Sequence, residues 1–412
     1  MILRIRTYFS RQIEEIRNDR ALHIYGALIM LGQVLSFRHW QAGGMEKFLH
    51  KGAEAICWPF FENCFEYRFL DVNQVHTVFL VFGAASVIGL VLFLLPRRFL
   101  TAAYVWMMGV NLFKVLIVIQ DFQLRRNQHY MLFFITVVFL FLPNKRNLLR
   151  YLLVFFYFWA GTIKFNTEWI SGAAMTVDPL WISRPYVPAA CMYALILELV
   201  IVWGVLSQKK WLYWSAFFQL CLFHLVSWPV VMAFYPLLMY GLLSIFPLTY
   251  FIKNANEPPS LMASLVRLKQ PVSTYLFLGF FSFLQLVPVI IPGNERVTGE
   301  GRLFSLHMID AMVVCKGAMT LKFYDGTTKV FEIPDKDKDV NRIKCDPIVN
   351  FSRAKQQCRN YVDDPNFNDL DLHYEAKLNS EETLRPLVDI KNFCSQELSY
   401  DLLKPNDWIK KH

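Results

Sequence analysis

From Trp211 to Ile252 the chain runs without a single Asp, Glu, Lys or Arg. One helical membrane crossing takes about 20 mostly apolar residues. This run is therefore long enough for two, and Ser227-Trp228-Pro229 offers a reversal near its middle. Similar apolar stretches recur at 22–37, 76–95, 99–120, 129–143, 150–165, 189–207 and 273–292. With the divided run as 211–228 and 230–251, the reading is a polytopic α-helical membrane protein of about nine spans. Composition agrees: 55% of residues are hydrophobic and only 18% charged, against about 25% charged in soluble domains.

The formal charge of +9 invites a nucleic-acid reading, which its distribution removes. Residues 302–412 hold 17 Lys+Arg against 18 Asp+Glu, so the remainder, 25 against 15, carries all of the excess. Basic loops in an apolar chain mark the cytoplasmic side of a membrane. With the N-terminus inside, the inner segments hold 15 basic residues, among them Arg97, Arg98, Lys145, Arg146 and Lys253. The outer loops hold 7: Arg38, Lys47, Lys51, Arg68, Arg125, Arg126 and Arg184. Residues 1–21 show apolar positions at helical spacing among arginines and no signal-peptide pattern, which predicts a cytoplasmic interfacial helix. A membrane domain over 22–292 follows, and an odd span count places 293–412 outside. That tail reads as a small α+β domain, with alternation about Asp325-Gly326 predicting a hairpin, a helix-like stretch from Asn350 to Val362, and a strand over Asp369 to Leu378.

Of eight cysteines, Cys191 and Cys221 lie in spans. Cys57, Cys64, Cys315, Cys345, Cys358 and Cys394 all fall on segments assigned outside, where an oxidising compartment permits disulfides. The four in the tail allow three pairings, and Cys57 and Cys64 pair either together or with the tail.

An ionisable group inside an apolar span is costly and marks function. Lys164 closes the fifth span, after Tyr157-Phe158-Trp159-Ala160-Gly161-Thr162-Ile163. Desolvated there, a lysine serves as a base; the plainer alternative is an ammonium reaching outward to lipid headgroups. His129 opens the fourth span and His224 lies near the outer end of the seventh, so alternation puts all three at one side and similar depth. Each histidine alone is more often a hydrogen-bonded packing residue than a ligand. His23, His39, His50, His76 and His307 lack metal-site spacing, and no metal is expected.

The segment Tyr157-Phe158-Trp159-Ala160-Gly161-Thr162-Ile163-Lys164-Phe165-Asn166-Thr167-Glu168-Trp169-Ile170-Ser171-Gly172 resembles the motif of vitamin K-dependent gamma-carboxylases and their bacterial relatives, the horizontally transferred transmembrane (HTTM) family. Asn127-Gln128-His129-Tyr130, Phe223-His224 and Arg302-Leu303-Phe304-Ser305-Leu306-His307-Met308 are similar to further segments in the same order. The resemblance implies a lyase in which Lys164 deprotonates a quinol of the vitamin K or menaquinol type. Reaction with O₂ then gives an epoxide and a base that removes a γ-proton from a glutamate, and CO₂ adds. It makes His129 an active-site partner and Gln128, His224 and Trp169 cavity residues, with a peptide or protein as acceptor. Gln128 departs from the asparagine of that motif, and the chain is much shorter than the animal enzymes. The four-cysteine tail fits a short bacterial-type member, in the inner membrane with its C-terminal domain periplasmic. The competing expectation is a non-enzymatic assembly or binding protein that keeps the scaffold and holds a membrane-protein partner. A transporter ranks below both, because no repeated halves are seen.

Overall fold

The computed structural model describes residues 2–42, 56–61, 64, 74–254, 260–306, 310–333 and 344–411. Lys47, Lys51 and Arg68, counted above in the outer loops, lie outside them, as do His50, His307 and Met308. Helix α1 (Ile2–Asn18) carries its arginines outward and packs through Phe9, Ile13 and Ile16. It breaks at Asp19, whose carboxylate accepts from the Ala21 amide as α2 (Arg20–Ala42) begins. Then come α3 (Val75–Leu94), α4 (Leu100–Ile119), α5 (Asn127–Phe141), α6 (Lys145–Lys164), α7 (Val187–Leu199), α8 (Lys210–Val226), α9 (Phe234–Leu243), α10 (Ile245–Phe251) and α11 (Val272–Ile290).

Among the described residues, six helical stretches are long and apolar enough to cross a membrane: Arg20–Ala42, Val75–Leu94, Arg97–Ile119, Arg184–Leu206, Phe234–Phe251 and Val272–Ile290. The other three expected spans coincide with α5, α6 and α8, but α5 and α8 are shorter and α6 carries four charges. The long uncharged run does divide where expected: α8 stops at Val226, and Met232 takes a left-handed φ of 63° before α9 resumes. Leucines, valines and phenylalanines stay exposed along α3, α4 and α11, among them Val81, Leu112 and Phe280. On a soluble protein such patches signal partners; here they face lipid. Within the bundle, Gly83 and Gly89 of α3 leave room for Phe37 and Met30 of α2, as close helix packing in lipid requires.

The charges of α6 do not face lipid, since α6 is the central helix and is buried around most of its circumference. Its first turn is neutralised from inside the protein. Arg146 pairs with Asp19 at 2.9 Å and donates to the Thr249 and Ile252 carbonyls, while Lys145 meets Gln12 and Glu15 of α1.

Beyond α11 the chain forms a four-stranded antiparallel sheet, ordered β2-β1-β3-β4, from β1 (Val313–Phe323), β2 (Thr328–Ile333), β3 (Phe367–Leu378) and β4 (Arg385–Ile390). The hairpin turns at Gly326, φ 84°, with Lys322 opposite Thr328. Helix α12 (Pro347–Tyr361) packs Ile348, Val349 and Phe351 with Leu321, Leu370, Leu372 and Val388 of the sheet into a second core. Three disulfides form: Cys57–Cys64, Cys315–Cys345 and Cys358–Cys394. Strand β4 has no counterpart in the sequence reading.

Candidate functional site

The C-terminal end of α6 builds the site. Gly161 is decisive, because a Cβ there would stand 2.9 Å from the Leu199 side chain and 3.0 Å from Cβ of Glu198. Its absence lets α7 lie against α6, and Glu198 in the last turn of α7 then meets Lys164, Nζ to Oε1 at 2.5 Å. Both side chains are at least 95% shielded from solvent. Immediately after Glu198 the helix tightens into a 3₁₀ stretch, Ile201–Leu206. Lys164 therefore does not reach outward to headgroups. Its ammonium also sits 4.8 Å from the Trp169 ring centroid and 5.8 Å from that of Phe223, contacts that favour a desolvated cation. The second carboxylate oxygen of Glu198, Oε2, is buried and has no hydrogen-bond partner among the described residues.

His224 joins this site. Its Nε2 lies 2.5 Å from the hydroxyl of Tyr157, about two turns before Lys164 on α6, and its ring contacts Tyr235. A narrow cleft runs between these groups, lined by Met131, Phe156, Tyr157, Ala160, Glu198, Tyr235 and Met239. It is apolar apart from two phenols and the carboxylate, and in this conformation it is too tight to hold a water molecule.

His129 is placed elsewhere. It is buried against Trp40, ring centroids 4.8 Å apart, with His39 at 5.8 Å and Phe234 at 5.7 Å. Met131, two residues on, belongs to the cleft lining, so the His129 group adjoins the Lys164 site without contacting it. Gln128 is half-buried in the same helical turn; neighbouring helix positions diverge in direction, so it does not share the orientation of His129. The expected convergence of three ionisable groups thus resolves into a pair, Lys164 and His224, and a separate histidine cluster.

The end of the bundle that carries Lys164 is closed by protein. Trp169 donates its Nε1–H to the Cys191 carbonyl at 2.9 Å. The buried Glu168 accepts from the Ser380 amide at 2.6 Å, and Asn379 donates to the Ala173 carbonyl at 3.0 Å, so the β3–β4 turn seats on this end of the bundle. Arg125 donates to the Ser305 carbonyl at 2.6 Å and Tyr130 to the Phe304 carbonyl at 2.6 Å. Gln285 receives the Leu306 amide at 2.8 Å. The Arg302–Asp310 pair at 2.5 Å completes the junction. Burial pushes the Asp346 carboxyl up to about 7, against the opposing pull of its bond from the Ile348 amide and of Arg302 and Arg125. The same burial lowers Arg125 to about 10.

No protein-family model, curated protein or solved structure matches the chain. Two residues of this interior escaped the sequence reading, Glu198 and Lys114. Each is the sole charge in its apolar stretch, 187–206 and 99–119 respectively. The rule that drew attention to Lys164 applies to both with equal force.

Proposed function

We propose that this chain is a gamma-carboxylase-like integral membrane enzyme whose Lys164–Glu198 pair handles a proton of a hydrophobic quinol-type substrate. The observation that carries the reading is a lysine and a glutamate buried together at 2.5 Å in a helix bundle, beside an apolar, phenol-lined cleft that Glu198 helps to line, with one of its carboxylate oxygens left unpartnered. Burying two charges costs several kcal/mol each before their attraction offsets it, and an ionisable group inside an apolar span is a functional candidate by default. A quinol enters only as this cleft opens: Phe156, Met131 and Met239 line it with apolar surface, and Glu198 Oε2 is the free acceptor for a ring hydroxyl. Lys164 holds the proton inventory of the pair, Tyr157 and His224 offer a second proton path, and the packed bundle excludes water that would quench a strong base. The bound quinol supplies the reducing chemistry with O₂. A peptide glutamate is the acceptor that the resemblance to the carboxylases suggests. In the same reading α5, α6 and α8 complete nine crossings. The N-terminus then lies in the cytoplasm and the sheet domain in the periplasm of a bacterial inner membrane, where three disulfides are at home.

The test supplies the purified protein in detergent with reduced vitamin K-type quinones and O₂, and detects the epoxide by mass spectrometry. Epoxide from wild type, and none from Lys164→Ala or Glu198→Gln at equal folded content, is the expected result. Normal turnover by Lys164→Ala would sink the assignment. The closed cleft favours one alternative, a non-enzymatic membrane assembly or binding protein in which the pair ties α6 to α7. That reading gains if no quinone is turned over and a stoichiometric membrane-protein partner co-purifies equally with wild type and Lys164→Ala.

A further inference from the structure

A second buried charge lies away from the Lys164 site, and among the described residues it has no counter-ion. Lys114 stands on α4 within the membrane domain, 3% exposed. Its ammonium donates at 3.0 Å to Gln33 Oε1 and at 3.0 Å to Ser36 Oγ, both neutral groups on one face of α2. It lies 5.9 Å from the Trp40 ring centroid, on the same α2 face. Among the described residues no carboxylate comes within ion-pair distance of it. The Trp40 ring in turn lies 4.8 Å from that of His129, centroid to centroid.

The polar atoms around this ammonium are also unspent. Gln33 Nε2, Trp40 Nε1 and both ring nitrogens of His129 are buried without a hydrogen-bond partner. Each buried donor left unmet costs about 1–3 kcal/mol, and an isolated charge in an apolar interior costs more. Such groups persist together where something else satisfies them. The missing partner has a definite chemistry. The Gln33 amide and the Trp40 indole present N–H donors beside a cation, and His129 adds one more from its ring, so the missing partner accepts hydrogen bonds and is negative. One positive charge without a counter-ion calls for one negative charge. Gln33, Trp40, Lys114 and His129 are all buried, which restricts the occupant to a small group.

We propose that Lys114, Gln33, Trp40 and His129 form a binding site for one small monovalent anion, of carboxylate size or smaller, between α2, α4 and α5. The site is separate from the Lys164–Glu198 pair. Its test reads binding and not turnover, so its outcome is independent of the quinol reading.

The full-length protein, purified in detergent and exchanged into gluconate, is titrated at constant ionic strength with chloride, formate or bicarbonate while the thermal unfolding midpoint is followed. A saturable rise with at least one of these ions, relative to gluconate, is expected. A halide-only response identifies a halide site, and a formate or bicarbonate response identifies a carboxylate-type site; both support the proposal. Lys114→Met should abolish the response. Trp40→Phe, which keeps the ring and removes only the N–H, should weaken apparent affinity about tenfold and carries the test should Lys114→Met fail to fold. No saturable rise with any of the three ions overturns the proposal. So does a rise that persists unchanged in both variants.

Discussion

Lys164 and Glu198 each make the other tolerable. Removing one partner of a buried pair strands the other, at about 3–5 kcal/mol, whereas replacing both with apolar residues is often neutral or stabilising. Glu198→Ala and Lys164→Ala should therefore each lower the unfolding midpoint sharply. Lys164→Met/Glu198→Leu should recover most of the loss while remaining inactive, and a double-mutant cycle on thermal unfolding checks this. Asp346 behaves differently, because its partners do not outweigh its burial. Its carboxyl titrates near 7 in the folded protein and near 3.9 unfolded. Between those values the folded state holds a proton that the unfolded state lacks. The contribution is complete below about pH 4 and is lost as pH rises through about 7. Asp346→Asn keeps a cap acceptor for the Ile348 amide and should flatten this slope. Unfolding midpoints at pH 5 and pH 8 should thus differ less in the variant than in wild type, and equal slopes would refute the assignment.

Elements meet where small residues permit it. Gly161 sets the spacing of α6 and α7, since a larger side chain there runs into Leu199 and Glu198. Gly161→Val should push α7 outward, separate Glu198 from Lys164 and cost about 1–3 kcal/mol as overpacking. Loss of activity exceeding that of Gly161→Ala, with a lower midpoint, is the expected pattern. In the sheet domain, Gly317 of β1 faces Tyr374 of β3 so closely that a Cβ would fall 2.3 Å from the His373 carbonyl oxygen. The disulfide Cys358–Cys394 fastens α12 to the turn after β4 across a separation of 36 residues. Replacing both cysteines by serine should cost about 2–4 kcal/mol, read as earlier proteolysis of this domain at unchanged Lys164-site activity.

Across the whole molecule, the sheet domain and the bundle close on each other at the end that carries Lys164. The β3–β4 turn reaches Glu168, which lies four residues after Lys164 in the chain. Glu168→Ala removes the acceptor for the Ser380 amide and should loosen the docking, seen as faster hydrogen exchange in the 378–384 turn, while Glu168→Gln, which keeps an acceptor oxygen, should not. Faster exchange in both variants would assign the effect to the lost charge instead.

Much of this architecture is legible in the sequence. Apolar length against a bilayer thickness sets the helices, the uncharged run from Trp211 to Ile252 divides at its own break, and Asp325-Gly326 turns its hairpin, because each depends on neighbours in the chain. The Lys164 segment also stood out by a local rule, that a charge does not enter an apolar helix idly. What the charge meets is not local. Glu198 is distant in sequence and comes to Lys164 only because Gly161 lets two helices touch, and His129 leaves the group to which depth alone assigned it because α5 turns that face toward α2. The disulfide pairing, the neutralisation of Arg146 by Asp19 and the solitude of Lys114 have the same origin. Hydrophobicity is a property each residue carries alone, so sequence reports it; electrostatic partnership in a low-dielectric interior falls off over a few ångströms, so only packing decides it.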